Sequence, residues 1–460
     1  MRLELGKRWS RAHYTFLLRA IVVTAFVVAA AGGGAAQQGA VDLVIRDRVG
    51  AQARLAIPNC LALTTDTETV AASETIAEVL GNDIDFEREF RLIPRDTYAS
   101  VPTGRSLDDL PLEAWSELGA NVVLSCTVER ISEDQLRFMA RLFNVAARSS
   151  LFGVEYSGSV SNIRVFAHQL SDEIHRDQRG LEGVARSKIA FISDRNSESV
   201  LGLVENRATK EVYFADYDGV GVRRVTVSRS LNNNPAWSPD GRAIAYTAWR
   251  PYMDVLVSHI YEGRLGTPAA GTADSQNWLP AWSPDGSQLA FTSNRDGQPD
   301  IYIMNAEGGG VTRLTNHPLI DTSPTWSPHG RQLAFVSDRT GAPQVYVVDV
   351  DGTGLRRITF ESRCDRPTWS PAPFNEIAFA AQTGPGYDIK VVDLATNEVR
   401  QLTFGLGTNE SPSYSPNGRH LAFSSTRGSG AKQVWVIGRD GRGLRRITST
   451  GNNEMPSWSP

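Results

Sequence analysis

The sequence predicts an α/β N-terminal domain followed by an all-β six-bladed β-propeller closed by the C-terminal strand. Three observations carry this expectation. Pro-x-aromatic-Ser-Pro occurs six times, with its aromatic at Trp237, Trp282, Trp326, Trp369, Tyr414 and Trp458. Successive copies lie 45, 44, 43, 45 and 44 residues apart, the period of one four-stranded blade per repeat. Ahead of the repeats, strand-like and helix-like segments alternate without any period, the texture of a layered α/β unit. Finally, the repeat region begins and ends on different strands of its own unit.

Residues 1–36 read as a signal peptide. A basic stretch ends at Arg19, and an apolar run from Ala20 to Ala31 is broken only by Thr24. Small residues follow, from Gly32 to Ala36. The run is too short to span a bilayer and suits a signal h-region, with cleavage after Ala36; the alternative is an uncleaved anchor. No later stretch reaches membrane-spanning length, so the mature chain is expected to be soluble and outside the cytoplasm, without direct membrane insertion. The formal net charge is −4, and the first 36 residues carry Arg2, Lys7, Arg8, Arg11 and Arg19 against Glu4, leaving the remainder at −8. An acidic body without a basic stripe argues against nucleic acid as a partner.

Residues 37–177 form the expected α/β domain. Residues 41–45 and 54–58 read as strands, and residues 67–80 as a helix ended by Gly81. Asp109 is the expected N-cap of a short helix that stops at Gly119. Strands are expected at 121–128 and 135–145, and an amphipathic helix at 162–175 closes the domain. Residues 178–187 are polar and read as a linker. Cys60, Cys126 and Cys364 make an odd count. Cys60 with Cys126 would pair inside one domain, and three buried thiols are the equal alternative.

Residues 188–460 form the expected propeller. Each unit has an Ile/Leu-Ala-Phe/Tyr strand after its Ser-Pro turn, as at Leu289-Ala290-Phe291, then two further strands. Ser-Pro-Asp-Gly at 238–241 and 283–286 fits a type I turn, with Pro fixing φ and Gly favoured at the fourth position. The turn after Pro371 is longer, running through Ala372-Pro373-Phe374-Asn375. The repeated aromatic is a natural filler between blades. The region opens on Lys188-Ile189-Ala190-Phe191, a second strand without an aromatic strand before it, and closes on Trp458-Ser459-Pro460 with no partner after it. The last strand therefore supplies the missing strand of the first blade, which removes an exposed sheet edge.

The chemistry that would mark an enzyme is not in the sequence. No Gly-x-Ser-x-Gly elbow and no phosphate-cradling loop occurs, so no catalytic residue, cofactor or metal is assigned. His168 and His175 fall two turns apart on one helix, which a solvated face explains better than a metal. Asp-x-Asp-Gly at 216–219 and 349–352 lacks the rest of a calcium loop and reads as turn chemistry. What remains is surface. The segments ahead of each aromatic strand surround one mouth of the channel, and their amides, charges and scattered apolar residues suit a docking ring as well as a solvated rim. The candidates are Asn232, Asn234, Gln276, Asn277, Leu279, Asp321, Thr322, Arg363, Asp365, Asn409, Glu410, Asn453 and Glu454.

Taken with Leu112-Glu113-Ala114-Trp115-Ser116-Glu117-Leu118-Gly119-Ala120 in the α/β domain, these features resemble the TolB family of the Tol-Pal system. The resemblance spans the whole mature chain. It implies a non-enzymatic, monomeric periplasmic adaptor supporting outer-membrane integrity and cell division. A Pal-like lipoprotein would dock at the propeller mouth, with Gln276, Leu279 and Thr322 at family contact positions. A TolA-like inner-membrane protein would take the mature N-terminal segment around Val41, Leu43 and Ile45. The alternatives are a binding propeller of another exported system and, from a different class, a peptidase-associated propeller.

Overall fold

The computed structural model describes residues 52–460 apart from 200–207, 251, 269–274 and 429. The expected signal peptide and the segment holding Val41, Leu43 and Ile45 lie outside the described residues. The α/β elements run β1 (Ala53–Ala56), β2 (Leu61–Ala62), α1 (Thr67–Glu87), β3 (Phe90–Leu92), α2 (Leu112–Glu117), β4 (Val122–Ser132), β5 (Gln135–Asn144), β6 (Ser149–Ser159) and α3 (Ile163–Arg179). The sheet order is β3-β1-β4-β5-β6, with β2 beside β4. β1 lies parallel to both neighbours, whereas β4, β5 and β6 form an antiparallel meander. β4 opens with seven consecutive buried residues, as expected of a central strand.

Several local expectations are corrected. Helix α1 does not stop at Gly81 but continues to Glu87, ending where Arg88 adopts φ 57° and donates its N–H to Ile84 O. A Cβ at Gly81 would meet open space, so the glycine costs only about 1 kcal/mol of helix propensity. Beyond it Ile84 and Phe86 are buried, and that packing outweighs the local penalty. Helix α2 starts at Pro111 without a side-chain cap, and the Asp109 carboxylate instead accepts the Arg105 N–H at 2.9 Å. Strand β6 gave no sequence signal because it is a partly exposed sheet edge rich in Ser and Gly. His168 and His175 are buried rather than solvated, because a second layer covers α3. Cys60 and Cys126 form a disulfide, and Cys364 is a buried free thiol.

The propeller has six four-stranded sheets. In each the aromatic strand pairs with the Ile/Leu-Ala-Phe/Tyr strand. These aromatic strands are Asn232–Trp237, Asn277–Trp282, Asp321–Trp326, Cys364–Trp369, Asn409–Tyr414 and Asn453–Trp458. The Ser-Pro turn closes as expected, with Gly241 N donating to Ser238 O at 2.9 Å. The aromatic indeed reaches the preceding blade: Trp282 Nε1 donates to Ala236 O, and Trp326 Nε1 to Ala281 O, both at 3.1 Å.

The last strand completes the first blade. Asn453–Trp458 pairs with Lys188–Ser193, setting Ser457 opposite Ala190 and Trp458 opposite Ile189. Beyond the ladder, Ser459 N donates to Lys188 O at 2.8 Å, and Lys188 N donates to Ser459 Oγ at 2.8 Å.

The α/β layer and the propeller belong to one compact unit. Residues between α3 and the first blade are packed rather than free: Val184 N donates to Glu87 Oε1 at 2.9 Å and Ala185 N to Asp172 Oδ1 at 3.0 Å. Trp458 Nε1 donates to Ser187 Oγ at 2.7 Å, so the closing strand also holds this segment.

Candidate docking surface

Each inner strand starts at the mouth with a residue five positions before the aromatic. In five blades it is a candidate contact residue: Asn232, Asn277, Asp321, Asn409 and Asn453, all fully buried. The cause is a recurring polar unit. Asn277 Oδ1 accepts from Ser293 Oγ at 2.7 Å and Arg295 Nη2 at 3.0 Å, while its Nδ2 donates to Asp254 of the preceding blade at 3.2 Å. Asn409 repeats this with Ser425, Arg427 and Asp388, and Asn453 with Arg195 and Gln433. Asn232 donates to Glu211 of the first blade at 2.9 Å. In the fourth blade Asp321 replaces the amide and takes both carboxylate oxygens to Arg339, at 3.0 and 2.8 Å. These side chains stitch strands and blades together, which satisfies buried polar groups and withdraws them from the surface.

The arginines of this unit form a signal that the sequence carried unread. Ser193-Asp194-Arg195, Ser293-Asn294-Arg295, Ser337-Asp338-Arg339 and Ser425-Thr426-Arg427 each follow a Phe-x pair. Each guanidinium lies over two rings. Arg339 is 5.5 Å from the Phe335 centroid and 5.0 Å from that of Tyr346, and Arg427 sits likewise over Phe423 and Trp435. Cation–π contact and the shared acceptor fix the planar donor fork in place.

Seven of the eight remaining candidates stay accessible at the mouth. Arg363 is exposed; Asn234, Gln276, Leu279, Thr322, Asp365 and Glu410 are half-buried. Glu454 is buried, paired with Lys210 and, at 3.5 Å, with Lys432, which also binds Glu410 at 2.6 Å. An alternating charge network thus joins the first and sixth blades at the rim. Inside the mouth, Asn234, Leu279, Ser323, Arg366, Ser411 and Met455 share a left-handed backbone, with φ between 53 and 57°. Each precedes a proline and sits in the break of register on its strand. These six and their prolines line a cavity of about 120 Å³ on the channel axis. Arg366 is the charged member, and the Asn234 side-chain oxygen, in its satisfied orientation, accepts from it.

Around this polar centre stand apolar groups that the sequence reading missed. Val227, Phe360, Phe404 and Leu406 are between 68% and 77% exposed. They occupy the same loops that lead into the inner strands, as do the exposed Leu319 and Ile320. Trp249 and Tyr252, also exposed, sit at the hairpin on that side of the second blade. The available signal was the repeated Val225-Thr226-Val227, Ile358-Thr359-Phe360 and Leu402-Thr403-Phe404: in each, the third residue has no strand to pack on. A polar centre ringed by exposed apolar anchors is chemically suited to binding another protein.

The far side of the propeller meets the α/β layer through a buried polar junction. His168 Nδ1 lies 2.8 Å from Asp83 Oδ2, and Tyr217 Oη donates to Asp83 Oδ1 at 2.6 Å. Burial pushes the Asp83 carboxyl up from its ordinary range. Glu87, also buried, is pushed up to about 7 by desolvation, despite Arg419 nearby. Burial and the charges of Arg419 and Arg88 press His420 down to about 3, keeping its ring neutral where it stacks on Phe86 at 4.5 Å.

Comparison with known proteins agrees with this architecture. Residues 178–460 match the family model described as the TolB β-propeller domain, and residues 41–151 match that of the TolB amino-terminal domain. A Tol-Pal system protein TolB from Desulfosudis oleivorans is 34% identical over 266 residues, covering 57% of this chain and 57% of the relative. Another from Dinoroseobacter shibae is 32% identical over 295 residues, covering 62% of each. The chain thus matches less than two thirds of the length of these relatives. In fold, the crystal structure of TolB from Acinetobacter baumannii superposes with a TM-score of 0.73 over 89% of this chain and 97% of that one, at 24% identity.

Proposed function

The chain belongs to the TolB family, and we propose that it works as a non-catalytic periplasmic adaptor of the Tol-Pal system. In this reading a Pal-like lipoprotein docks on the propeller mouth, and a TolA-like inner-membrane protein takes the segment around Val41, Leu43 and Ile45. The bridge so formed would support outer-membrane integrity and division. The observation that carries the docking site is the mouth itself, where exposed Leu319, Phe360, Phe404 and Leu406 ring a half-buried polar centre. Gln276, Leu279, Thr322, Arg363, Asp365 and Glu410 are the accessible polar and apolar groups inside that ring. Asn232, Asn277, Asp321, Asn409 and Asn453 act indirectly, by holding the rim in shape.

Calorimetric titration of the mature chain with the soluble domain of a Pal-like lipoprotein tests this reading. Replacing Phe404 and Leu406 by Ala should weaken binding by a factor of about 30 or more, as for apolar anchors costing about 2 kcal/mol. Gln276→Ala with Thr322→Ala should weaken it less, with the melting curve unchanged. Binding that ignores both pairs of substitutions would remove the mouth from the contact.

A further inference from the structure

The long turn after Pro371 has no counterpart in the Ser-Pro turns at 238–241, 283–286, 327–330 and 415–418, and the mouth makes no use of it. Inner strands begin at the mouth, so this turn lies at the opposite end of its strand. There it encloses a recess of about 500 Å³ against the turn of the fourth blade. That volume falls in the range of small-molecule sites. Pro328, Trp369, Pro373 and Phe374 supply apolar walls, and His329 and Arg331 complete the fourth-blade side. The Arg439 guanidinium lies 4.1 Å from the Phe374 ring centroid, which sets that wall before any ligand arrives.

The polar groups of the recess are unequal in an informative way. The indole N–H groups of Trp282 and Trp326 are consumed by a carbonyl of the preceding blade. Trp369 occupies the same place in its blade and is 92% buried, being only 8% exposed. Yet its Nε1 has no acceptor among the described residues and is not sealed off from solvent. Trp369 also lines the recess, so an uncommitted donor and the recess belong to the same side chain. Arg331 is exposed and forms no ion pair among the described residues, and His329 is exposed without a hydrogen bond. The one carboxylate on the lining, Asp349, is occupied through Oδ1 by Gln332 Nε2 at 2.7 Å. Arg331 is therefore an uncommitted permanent cation on the lining, standing beside an aromatic and proline wall.

We propose that this recess binds a small organic carboxylate carrying an apolar or aromatic body. The body lies against Trp369, Pro373 and Phe374. The carboxylate accepts from the Trp369 indole N–H and pairs with Arg331. A charge-assisted hydrogen bond of this kind is roughly twice as strong as a neutral one, enough to make the charge decide which ligands stay. The site is independent of the adaptor reading, since no mouth residue lines it.

Titration of the mature chain with N-acetyl-L-phenylalanine, followed by saturation-transfer NMR, tests the assignment. N-acetyl-L-phenylalaninamide, with the same body and no charge, is the control. The acid should bind saturably and the amide about tenfold more weakly or worse. Arg331→Gln, at an exposed position, should erase that preference for the acid while leaving binding of the amide unchanged. Trp369→Phe should also weaken the acid, and a melting curve shows whether the variant remains folded. Absence of saturable binding, equal binding of acid and amide, or indifference to Arg331→Gln would each overturn the proposal. Loss of lipoprotein binding at the mouth would leave this result untouched, so the two readings fail separately.

Discussion

Tyr217 Oη donates to Asp83 Oδ1 at 2.6 Å, joining a propeller turn to helix α1 through two side chains that are each 1% exposed. The same carboxylate meets His168 on helix α3. One buried acid thus holds two helices of the α/β layer and the first blade. Tyr217→Phe removes one arm and should destabilise the junction by about 1–2 kcal/mol. Asp83→Ala strands both the imidazole and the phenol and should cost about 3–5 kcal/mol. Thermal unfolding of both variants checks the order; equal losses would show that the carboxylate is not the hub.

Asp321 is fully buried and depends on Arg339 for its counter-charge. Arg339→Ala should therefore cost about 3–5 kcal/mol, because it leaves an uncompensated buried carboxylate. Other blades place an amide at the equivalent position beside their own arginine, as with Asn277 and Arg295. Asp321→Asn should accordingly be mild. Combining it with Arg339→Ala should recover much of the loss. Denaturant midpoints of the two single variants and the double variant give the coupling directly, and strict additivity would contradict it.

Glu87 gives the junction a pH dependence of definite sign. Its folded pKa of about 7 lies above the ordinary 4.5, so the fold favours the protonated form. The stability it contributes is complete below about pH 4.5 and is lost as pH rises through about 7. His420 acts in the opposite sense: held near 3 against an ordinary 6.5, it contributes above 6.5 and loses that contribution as pH falls. The two slopes oppose each other between these limits, and above pH 6.5 Glu87 acts without that opposition. Glu87→Gln keeps an acceptor for Val184 N and removes the titration. Its melting temperature relative to the parent should rise between pH 4.5 and about 7, read by scanning fluorimetry; a constant difference would reject the assignment.

Repetition made the propeller legible. Trp237, Trp282 and their successors mark equivalent places, so period, blade number and ring closure could be counted without knowing any packing. The α/β layer offered a single copy of each signal, and there local rules misled where tertiary contact decided. Gly81 reads as a helix stop until the burial of Ile84 and Phe86 is known. His168 reads as solvated until Asp83 and Tyr217, distant in sequence, are seen beside it. At the mouth, amides such as Asn232 and Asn453 look equally at home in an interface and inside a polar network. Only their partners on the neighbouring strands separate the two uses. Phe404 could have been found from the repeat, since Val225-Thr226, Ile358-Thr359 and Leu402-Thr403 are each buried and the residue that follows is exposed.

The bond from Trp458 to Ser187 gives the closing strand a mechanical meaning. Tension carried along the backbone from the α/β layer enters the propeller through residues 184–188, and the first ladder it meets is that of Lys188–Ser193 with Asn453–Trp458. The seam that closes the ring is thus the seam that a pull on the N-terminal side would strain. Of the remaining blades, the sixth shares that load through His420, which stacks on Phe86 of the α/β layer.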